Sequence, residues 1–209
     1  MPEPTKEKRP IKIEKSRLLV VEGWNEYGFY YGFLRYLGLK DAVQVLTAEG
    51  GAGFASFIPG LPSATGFSGL ASLGVIRDAE DSPDGAFLSL TASLKKAGLP
   101  VPSRPEEWCG TTPRVGILIQ PGKGQKGMLE TLLLQAVAED AAFACIDPFL
   151  QCLEEKVPEP TRNKTKAKAQ AFLASRKKAG LTIGTATEAG YWDLDHSAYD
   201  GTKTFLKSL

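Results

Sequence analysis

Acidic residues follow two short apolar runs in this sequence, and this arrangement constrains the fold more than any other feature. The apolar runs cover residues 17–21 and 73–76. The acidic residues that follow them are Glu22, Glu26, Asp78, Glu80 and Asp81. Apolar runs of this length are typical of buried strands in a parallel sheet. Because ligands bind at the carboxyl ends of the strands in open α/β sheets, the sequence predicts an acidic site at that edge.

Helical patterns alternate with apolar runs along most of the chain. We expect strands over residues 17–22, 43–46, 73–78 and 114–120. We expect helices over residues 24–37, 84–97, 128–138, 142–154, 163–179 and 201–209. Residues 99–113 contain four prolines and are expected to form a loop. This order predicts an α/β fold in which a mainly parallel sheet is flanked by helices.

The chain is divided, in our interpretation, into three parts. Residues 1–15 are charged and contain proline, which predicts a flexible arm. Residues 16–157 are expected to form the α/β domain, and residues 158–209 a helical C-terminal extension packed on that domain. The chain has 209 residues, which is enough for one such domain with an appendage.

Overall composition indicates a location but names no partner. The formal net charge is +1, and no apolar run approaches the length of a membrane span. The three cysteines form no close pair, which favours reduced thiols and a cytoplasmic protein. We expect Cys145 and Cys152, which are seven residues apart in an apolar helical stretch, to pack in the core.

Carboxylates that meet at one sheet edge repel one another, and a bound divalent cation usually neutralises this repulsion. Glu22 and Glu26 are one helical turn apart, and Asp78 and Glu80 alternate as residues on one face of a strand do. The sequence therefore predicts a site for Mg²⁺ or Mn²⁺. The alternative is a set of helix-capping and solvated surface acids without a common role.

A glycine-rich segment, residues 122–127, matches the pattern GxGxxG between a strand and a helix. It contains Lys123 and Lys126, which could meet phosphate groups. Three interpretations stay open: a flexible turn, a phosphate-contacting loop beside the acidic site, or a nucleotide-binding site.

Positive charge is concentrated near the C-terminus. Between residues 161 and 178 there are seven basic residues and no acidic one. The basic side chains that could track a nucleic-acid backbone are Arg162, Lys164, Lys166 and Lys168 at the start of this segment, together with the cluster Arg176–Lys178 at its end. The alternative is a solvated helix face, because there is almost no aromatic residue among them apart from Phe172.

These motifs resemble the TOPRIM domain, in which a glutamate follows the first strand and an Asp-x-Asp pair follows a later one. The closest resemblance is to small stand-alone bacterial TOPRIM proteins related to the overcoming-lysogenization-defect (OLD) nucleases. The matching stretches here are Val21-Glu22-Gly23, Leu73–Asp81, Gly127-Met128-Leu129-Glu130 and Gly190–Asp195. The resemblance to the domain covers roughly residues 17–155.

The resemblance implies the roles of individual residues. Glu22 matches a general acid or base that can also hold a metal, and Asp78 and Glu80 match the metal ligands. Glu80 is a departure from the aspartate of the family, so Asp81 could substitute for it. Glu130 matches an acid that OLD-like nucleases use for a second metal ion. Those nucleases also use a lysine C-terminal to the acids, and Lys164 and Lys166 are the candidates here.

The expected function is a Mg²⁺- or Mn²⁺-dependent endonuclease that cleaves phosphodiester bonds, with DNA favoured over RNA. The expected catalytic residues are Glu22, Asp78 and Glu80, with Glu26, Asp81 and Glu130 as further metal ligands. One alternative is a non-catalytic module, in a defence or toxin-like operon, that binds nucleic acid or a partner ATPase. Another is a nucleotide-binding regulator. A homodimer is compatible with each, and no membrane partner is expected.

Overall fold

Five strands form a single sheet in the computed structural model, which describes residues 11–48 and 53–209. The strands are β1 (Arg17–Val21), β2 (Val43–Thr47), β3 (Ser72–Asp78), β4 (Trp108–Cys109) and β5 (Arg114–Gln120). Their order in the sheet is β2-β1-β3-β5-β4. All neighbouring pairs are parallel except β4 and β5, which are antiparallel. The predicted α/β fold with a mainly parallel sheet is therefore confirmed.

Eight α-helices surround the sheet in the described residues. They are α1 (Trp24–Tyr36), α2 (Phe54–Gly60), α3 (Pro83–Lys96), α4 (Leu129–Ala136), α5 (Phe143–Lys156), α6 (Lys164–Ala174), α7 (Ile183–Glu188) and α8 (Asp200–Lys207). Short 3-10 turns lie at Leu61–Ser63, Phe67–Gly69 and Ser197–Tyr199. Ser82 caps α3 by accepting a hydrogen bond from the main chain of Gly85 across 3.1 Å, as expected of serine at a helix start.

The sheet carries a hydrophobic core on each face, because side chains alternate between the faces along every strand. On one face, Leu19, Val21 and Ile76 pack against α1, α4 and the helices that follow. On the other face, Val20 and Val75 pack against α2 and α3. Both faces are covered, as a parallel sheet requires.

The C-terminal helices share the first of these cores. Phe172 in α6 stacks on Trp192 with ring centroids 5.2 Å apart, and Tyr199 and Phe205 are buried in the same cluster. Residues 158–209 thus lie against the sheet-and-helix layer of residues 16–157. The boundary that we place at residue 157 stays a prediction.

The expected flexible arm falls partly outside the described residues, since residues 1–10 are not described. Residues 11–15 contact the body of the protein. Ile13 is buried, and the main-chain N–H of Glu14 donates to the side-chain carbonyl of Gln44 across 2.7 Å.

Three expectations from the sequence are corrected. Residues 99–113 are not entirely loop, because Trp108 and Cys109 form a short antiparallel edge strand. The basic helix ends at Ala174 rather than near residue 179, and α7 was not anticipated. Cys145 and Cys152 lie on the exposed side of α5 instead of in the core.

In the described part of the chain, no helix has the length and apolar character that a membrane crossing needs.

Candidate functional site

The acidic residues gather where the carboxyl ends of β1 and β3 meet the start of α4. Glu22 directly follows β1, Glu26 lies in the first turn of α1, Asp78 ends β3, and Glu130 is the second residue of α4. Because β1 and β3 are parallel neighbours, their ends lie side by side. The predicted position of the site at this sheet edge therefore follows from the strand order.

Asp78 is held by hydrogen bonds from two other elements. Its side chain is 6% exposed. Oδ1 of Asp78 accepts a hydrogen bond from the main-chain N–H of Leu129 across 3.0 Å and another from the side-chain amide of Gln120. Gln120 in turn accepts a hydrogen bond from the hydroxyl of Tyr30 across 2.5 Å. A buried chain of polar groups thus fixes the orientation of Asp78.

Burial raises the pKa of Asp78 to about 8, and the nearby charges of Glu26, Glu22 and Glu130 add to the effect. The hydrogen bond from Gln120 lowers the pKa but does not offset the other causes. A carboxyl group in this environment is largely protonated at neutral pH unless a positive charge joins it.

Glu130 is the second buried acid of the site. Glu130 is 2% exposed, and no group of the described residues donates a hydrogen bond to its Oε2. Buried polar atoms are nearly always hydrogen-bonded, because leaving one without a partner costs about 1–3 kcal/mol. An oxygen in this state is a candidate ligand for a cation.

Glu26 is influenced electrostatically both by another acid of the site and by a lysine. Burial raises the pKa of the Glu26 carboxyl, and the charge of Glu130 raises it further, whereas the charge of Lys166 lowers it. Lys166 therefore lies close enough to the acidic site to act on it electrostatically.

Glu22 lies beside an arginine. Desolvation raises the pKa of Glu22, although much of the residue is exposed, and Arg77 lowers that pKa as the largest opposing influence. The charges of Glu26 and Glu80 raise the pKa again. Glu22 is thus part of the same electrostatic neighbourhood as the buried acids.

Glu80 leaves the path of the strand. Its φ is +48°, a left-handed conformation that is uncommon for residues other than glycine. Its main chain exchanges two hydrogen bonds with Gly127, across 2.8 and 2.9 Å, so the end of β3 is tied to the loop before α4. The side chain of Glu80 is exposed. Asp81 is also exposed, and within the described ranges its side chain forms no hydrogen bond and no ion pair.

The basic residues predicted to contact nucleic acid differ in their surroundings. Lys164 pairs with Glu154 across 2.7 Å, and Lys168 pairs with Asp147 across 2.6 Å. The other four have exposed side chains, and none forms an ion pair in the part of the chain that the structure describes: Lys123, Lys126, Arg162 and Lys166.

The glycine-rich segment leads into α4, but the first main-chain N–H group of this helix already donates a hydrogen bond within the protein. The main-chain N–H of Leu129, the first residue of α4, donates to Asp78. A dinucleotide site would use such N–H groups for a pyrophosphate. This geometry favours the turn or the phosphate-contacting loop over a nucleotide cofactor site.

The donor set suits a hard cation, since every candidate ligand at this edge is a carboxylate oxygen. The unpartnered Oε2 of Glu130 and the buried Asp78 have the chemistry that such a cation needs. Across residues 11–48 and 53–209, however, no three His, Cys, Asp or Glu side chains are grouped closely enough to enclose a metal ion. The acids share one negative region without forming a closed ligand set.

Two residues of the site were missed from the sequence. Gln120 is the polar last residue of an apolar strand, a signal that could have identified it, because its strand ends at the same edge as Asp78. Tyr30 lies on α1 among residues that pack in the core, and nothing in the sequence separates it from them.

Comparisons with known proteins give one family and two solved structures. No curated protein matches the sequence. Two structures of the C-terminal region of the OLD protein of Xanthomonas campestris pv. campestris are similar to this chain. The one phased with iodine is 15% identical with a TM-score of 0.47, covering 93% of this chain and 95% of that chain. The one phased with mercury is 14% identical with a TM-score of 0.36, covering 93% of this chain and 86% of that chain.

A family model matches residues 16–209, which is nearly the whole chain. The matched region includes every strand and helix described above. The chain therefore belongs to the DUF3226 family, described as proteins of unknown function.

Proposed function

We propose that this protein is a metal-dependent nuclease that cleaves phosphodiester bonds, with DNA favoured over RNA. The observation that carries the proposal is the pair of buried acids, Asp78 and Glu130, at the carboxyl edge of the sheet. One has a strongly raised pKa and the other has a buried oxygen without a hydrogen-bond partner. A divalent cation held by these two residues would remove both features, because it would neutralise carboxyl charge and give the buried oxygen a partner.

The ligands for Mg²⁺ or Mn²⁺ would be Asp78, Glu130 and Glu26, with Glu22 and Glu80 added from the exposed rim. A divalent cation, when bound, neutralises charge on a phosphate group and activates a water nucleophile. Glu22 and Glu80 have exposed side chains that can rotate toward the buried acids. Asp81 is exposed and, within the described ranges, forms no hydrogen bond with this group, so it is the weakest of the predicted ligands.

The other residues of the chain have distinct roles in this proposal. Glu22, whose pKa is raised by desolvation, is the candidate general acid or base of the site. Lys166, whose charge acts on Glu26, would contact the scissile phosphate, a role for which Lys164 is less suited because it is paired with Glu154. Phosphates further along the nucleic-acid strand are contacted by Lys123, Lys126 and Arg162. Lys168 contacts them only if its ion pair with Asp147 opens.

The sequence resemblance to TOPRIM proteins supports the same function. The first motif places Glu22 after β1, and the second places Asp78 at the end of β3. The two parallel strands bring the motifs to one edge, where a nuclease of this type needs them.

The test is cleavage of supercoiled plasmid, single-stranded DNA and RNA with Mg²⁺ or Mn²⁺. We expect wild-type protein to cleave, Asp78→Asn to be inactive, and Asp81→Asn to retain most activity. The Asp81 variant is the matched control, since it removes an exposed neighbouring charge. Equal cleavage by wild type and Asp78→Asn, or no cleavage on any substrate, would reject the proposal.

The second candidate is a non-catalytic module that binds nucleic acid or a partner ATPase. It is favoured by the glutamate at residue 80, where TOPRIM enzymes have aspartate, and by the left-handed backbone there. Binding of nucleic acid without metal-dependent cleavage would support it. A cytoplasmic location and a homodimer fit either candidate.

A further inference from the structure

Three aromatic residues form a continuous stripe along the solvent side of α1. Trp24 and Tyr27 pack edge to face with ring centroids 5.4 Å apart, and Tyr27 stacks on Tyr31 at 6.1 Å with an interplanar angle of 12°. Trp24 is 66% exposed and Tyr31 is 40% exposed. Among the described residues, Trp24 is the most exposed of the large hydrophobic side chains. We call these three residues the aromatic stripe.

Trp24 and Tyr31 are not part of the packing of α1, whereas the half-buried Tyr27 also packs against the hydrophobic core on that side of the sheet. The sheet-facing side of this helix carries Phe29 and Phe33, which are fully buried. A second side carries Gly28 and Gly32, which lie against α7: a Cβ atom at Gly28 would be 2.9 Å from the backbone of Gly184. The stability of the fold therefore does not require large rings at residues 24 and 31.

The stripe begins at the acidic site. Trp24 is the first residue of α1 and lies in the chain between Glu22 and Glu26, which both belong to that site. The stripe then runs away from the site along the helix, through Tyr27 to Tyr31. A polymer whose phosphate reaches the acids would have its neighbouring units over these rings.

Positive charge accompanies the acids at the same place. Arg77 acts on the carboxyl of Glu22, and Lys166 acts on the carboxyl of Glu26. A polyanion that approaches the cation-binding acids thus meets cationic side chains beside them. The combination of aromatic rings with nearby positive charge is typical of surfaces that bind single-stranded nucleic acid.

We propose that Trp24 and Tyr31 stack on unpaired bases of a single-stranded nucleic acid whose backbone enters the acidic site. The inference rests on the proposed function and adds to it the strandedness of the substrate. Aromatic side chains can stack on bases only when the base faces are free, whereas a duplex hides them between neighbouring pairs. Base stacking tolerates any sequence, so the stripe selects for single strands without selecting a sequence.

The test measures binding separately from cleavage. A labelled oligothymidylate of about 12 nucleotides, close to the site sizes of single-strand binders, is titrated with protein in chelator and again in Ca²⁺. An abasic oligodeoxynucleotide of the same length has the same phosphates but no bases to stack. A blunt duplex is the third probe. Trp24 fluorescence reports on the stripe directly, because Trp192 is buried and Trp108 is stacked on Phe205.

We expect wild-type protein to bind oligothymidylate at least about tenfold more tightly than the abasic strand. Trp24→Ala and Tyr31→Ala should each weaken binding of oligothymidylate about five- to a hundredfold and leave the abasic strand unaffected. Trp24→Phe should restore part of the affinity. The matched control is Leu88→Ala, which removes an equally exposed hydrophobic side chain (65%) on the opposite face of the sheet.

Four results would overturn the inference. The first three are no binding of oligothymidylate by wild type, unchanged affinity in both alanine variants, and equal losses for oligothymidylate and the abasic strand. A drop in apparent mass of the alanine variants on gel filtration would also overturn it, by showing that a second copy covers the stripe. Failure of the nuclease proposal is recognised separately. Plasmid and oligonucleotide would then stay intact while the loss of binding in Trp24→Ala persists.

Discussion

The main-chain N–H of Leu129 donates a hydrogen bond to Oδ1 of Asp78 across 3.0 Å, which joins the start of α4 to the end of β3. The same oxygen accepts from the side chain of Gln120 at the end of β5. Asp78 is therefore oriented by a helix and a neighbouring strand before any ligand arrives. Asp78 itself would therefore need little rearrangement to join the ligands of a cation, whereas the exposed acids around it would have to move.

The stability of the metal-free protein should fall as the pH rises from about 4 to about 8. Asp78 has a pKa of about 8 in the folded protein and about 3.9 when unfolded. In the interval the unfolded chain releases a proton that the folded chain retains, so each increase in pH favours unfolding. Urea unfolding at pH 5 and pH 8 measures the effect.

The variant Asp78→Asn provides the control for this pH dependence. It should lose most of the slope and, at pH 8, should be more stable than wild type by up to a few kcal/mol. Mg²⁺ should raise the melting temperature of wild type more at pH 8 than at pH 5, and should not do so for the variant. A slope that is the same in both proteins would assign the titration to another group.

Glu130→Gln should stabilise the metal-free protein by roughly 1–3 kcal/mol. The substitution removes a buried charge whose Oε2 has no hydrogen-bond partner among the described residues. It should also weaken binding of Mn²⁺, measured by calorimetry, about tenfold or more. The control is Glu139→Gln at an exposed residue, which should change neither quantity. A less stable Glu130→Gln protein would show that the carboxylate is stabilised by contacts other than a cation.

Tyr30→Phe should destabilise the protein by about 1–2 kcal/mol, because the buried side-chain carbonyl of Gln120 loses its donor. The freed amide group of Gln120 can then rotate, so the pKa of Asp78 should also move. The pH–rate profile of cleavage detects that movement, which a purely structural role would not produce. Tyr199→Phe is the control, since the buried hydroxyl of Tyr199 has no hydrogen-bond partner among the described residues. An unchanged profile in Tyr30→Phe would limit this tyrosine to packing.

Lys166→Ala should reduce metal-dependent cleavage about a hundredfold, as expected for loss of a cation that contacts the reacting phosphate. Lys164→Ala is matched in charge and helix, but it removes a side chain paired with Glu154, so it should have only a small effect. Steady-state rates on single-stranded DNA compare the two. The assignment fails if Lys164→Ala is the more damaging change.

Gly184→Ala should destabilise the protein by about 1–3 kcal/mol, because a Cβ atom there would be 2.6 Å from Cα of Gly28. The helices α1 and α7 would have to separate, and α1 carries Glu26 and Tyr30. Gly69→Ala, where an added Cβ meets nothing within 4 Å, is the control. Thermal unfolding compares them, and equal melting temperatures would show that the contact between the helices adjusts without cost.

The sequence predicted the parallel strands and the acidic edge because both depend on local patterns. Apolar runs fix the buried strands, and the order of strands and helices fixes their direction. Glu22 and Asp78 were therefore placed correctly at strand ends. Two residues, Trp108 and Cys109, were missed as a strand because so short a run has no detectable period and is stabilised only by its partner β5.

The finer arrangement of the site depends on tertiary structure. The left-handed backbone of Glu80 arises from its hydrogen bonds with Gly127, which is distant in the chain. Lys164 and Lys166 are indistinguishable in the sequence, and only the packing of α5 against α6 pairs the first of them with Glu154. The chain of Tyr30, Gln120 and Asp78 likewise joins three elements that no local pattern connects.

The strands β3 and β5 are paired along their whole length, and the last pair of this ladder is Asp78 with Gln120. Side chains of paired residues point to the same face, so the hydrogen bond between them is a direct product of the register. Deleting one residue from the middle of β5 would turn Gln120 to the opposite face while leaving most apolar residues in a strand. Such a protein would keep its fold but lose the hydrogen bond that orients Asp78. A screen of length variants for the proposed activity would therefore identify β5 as a strand that the activity requires.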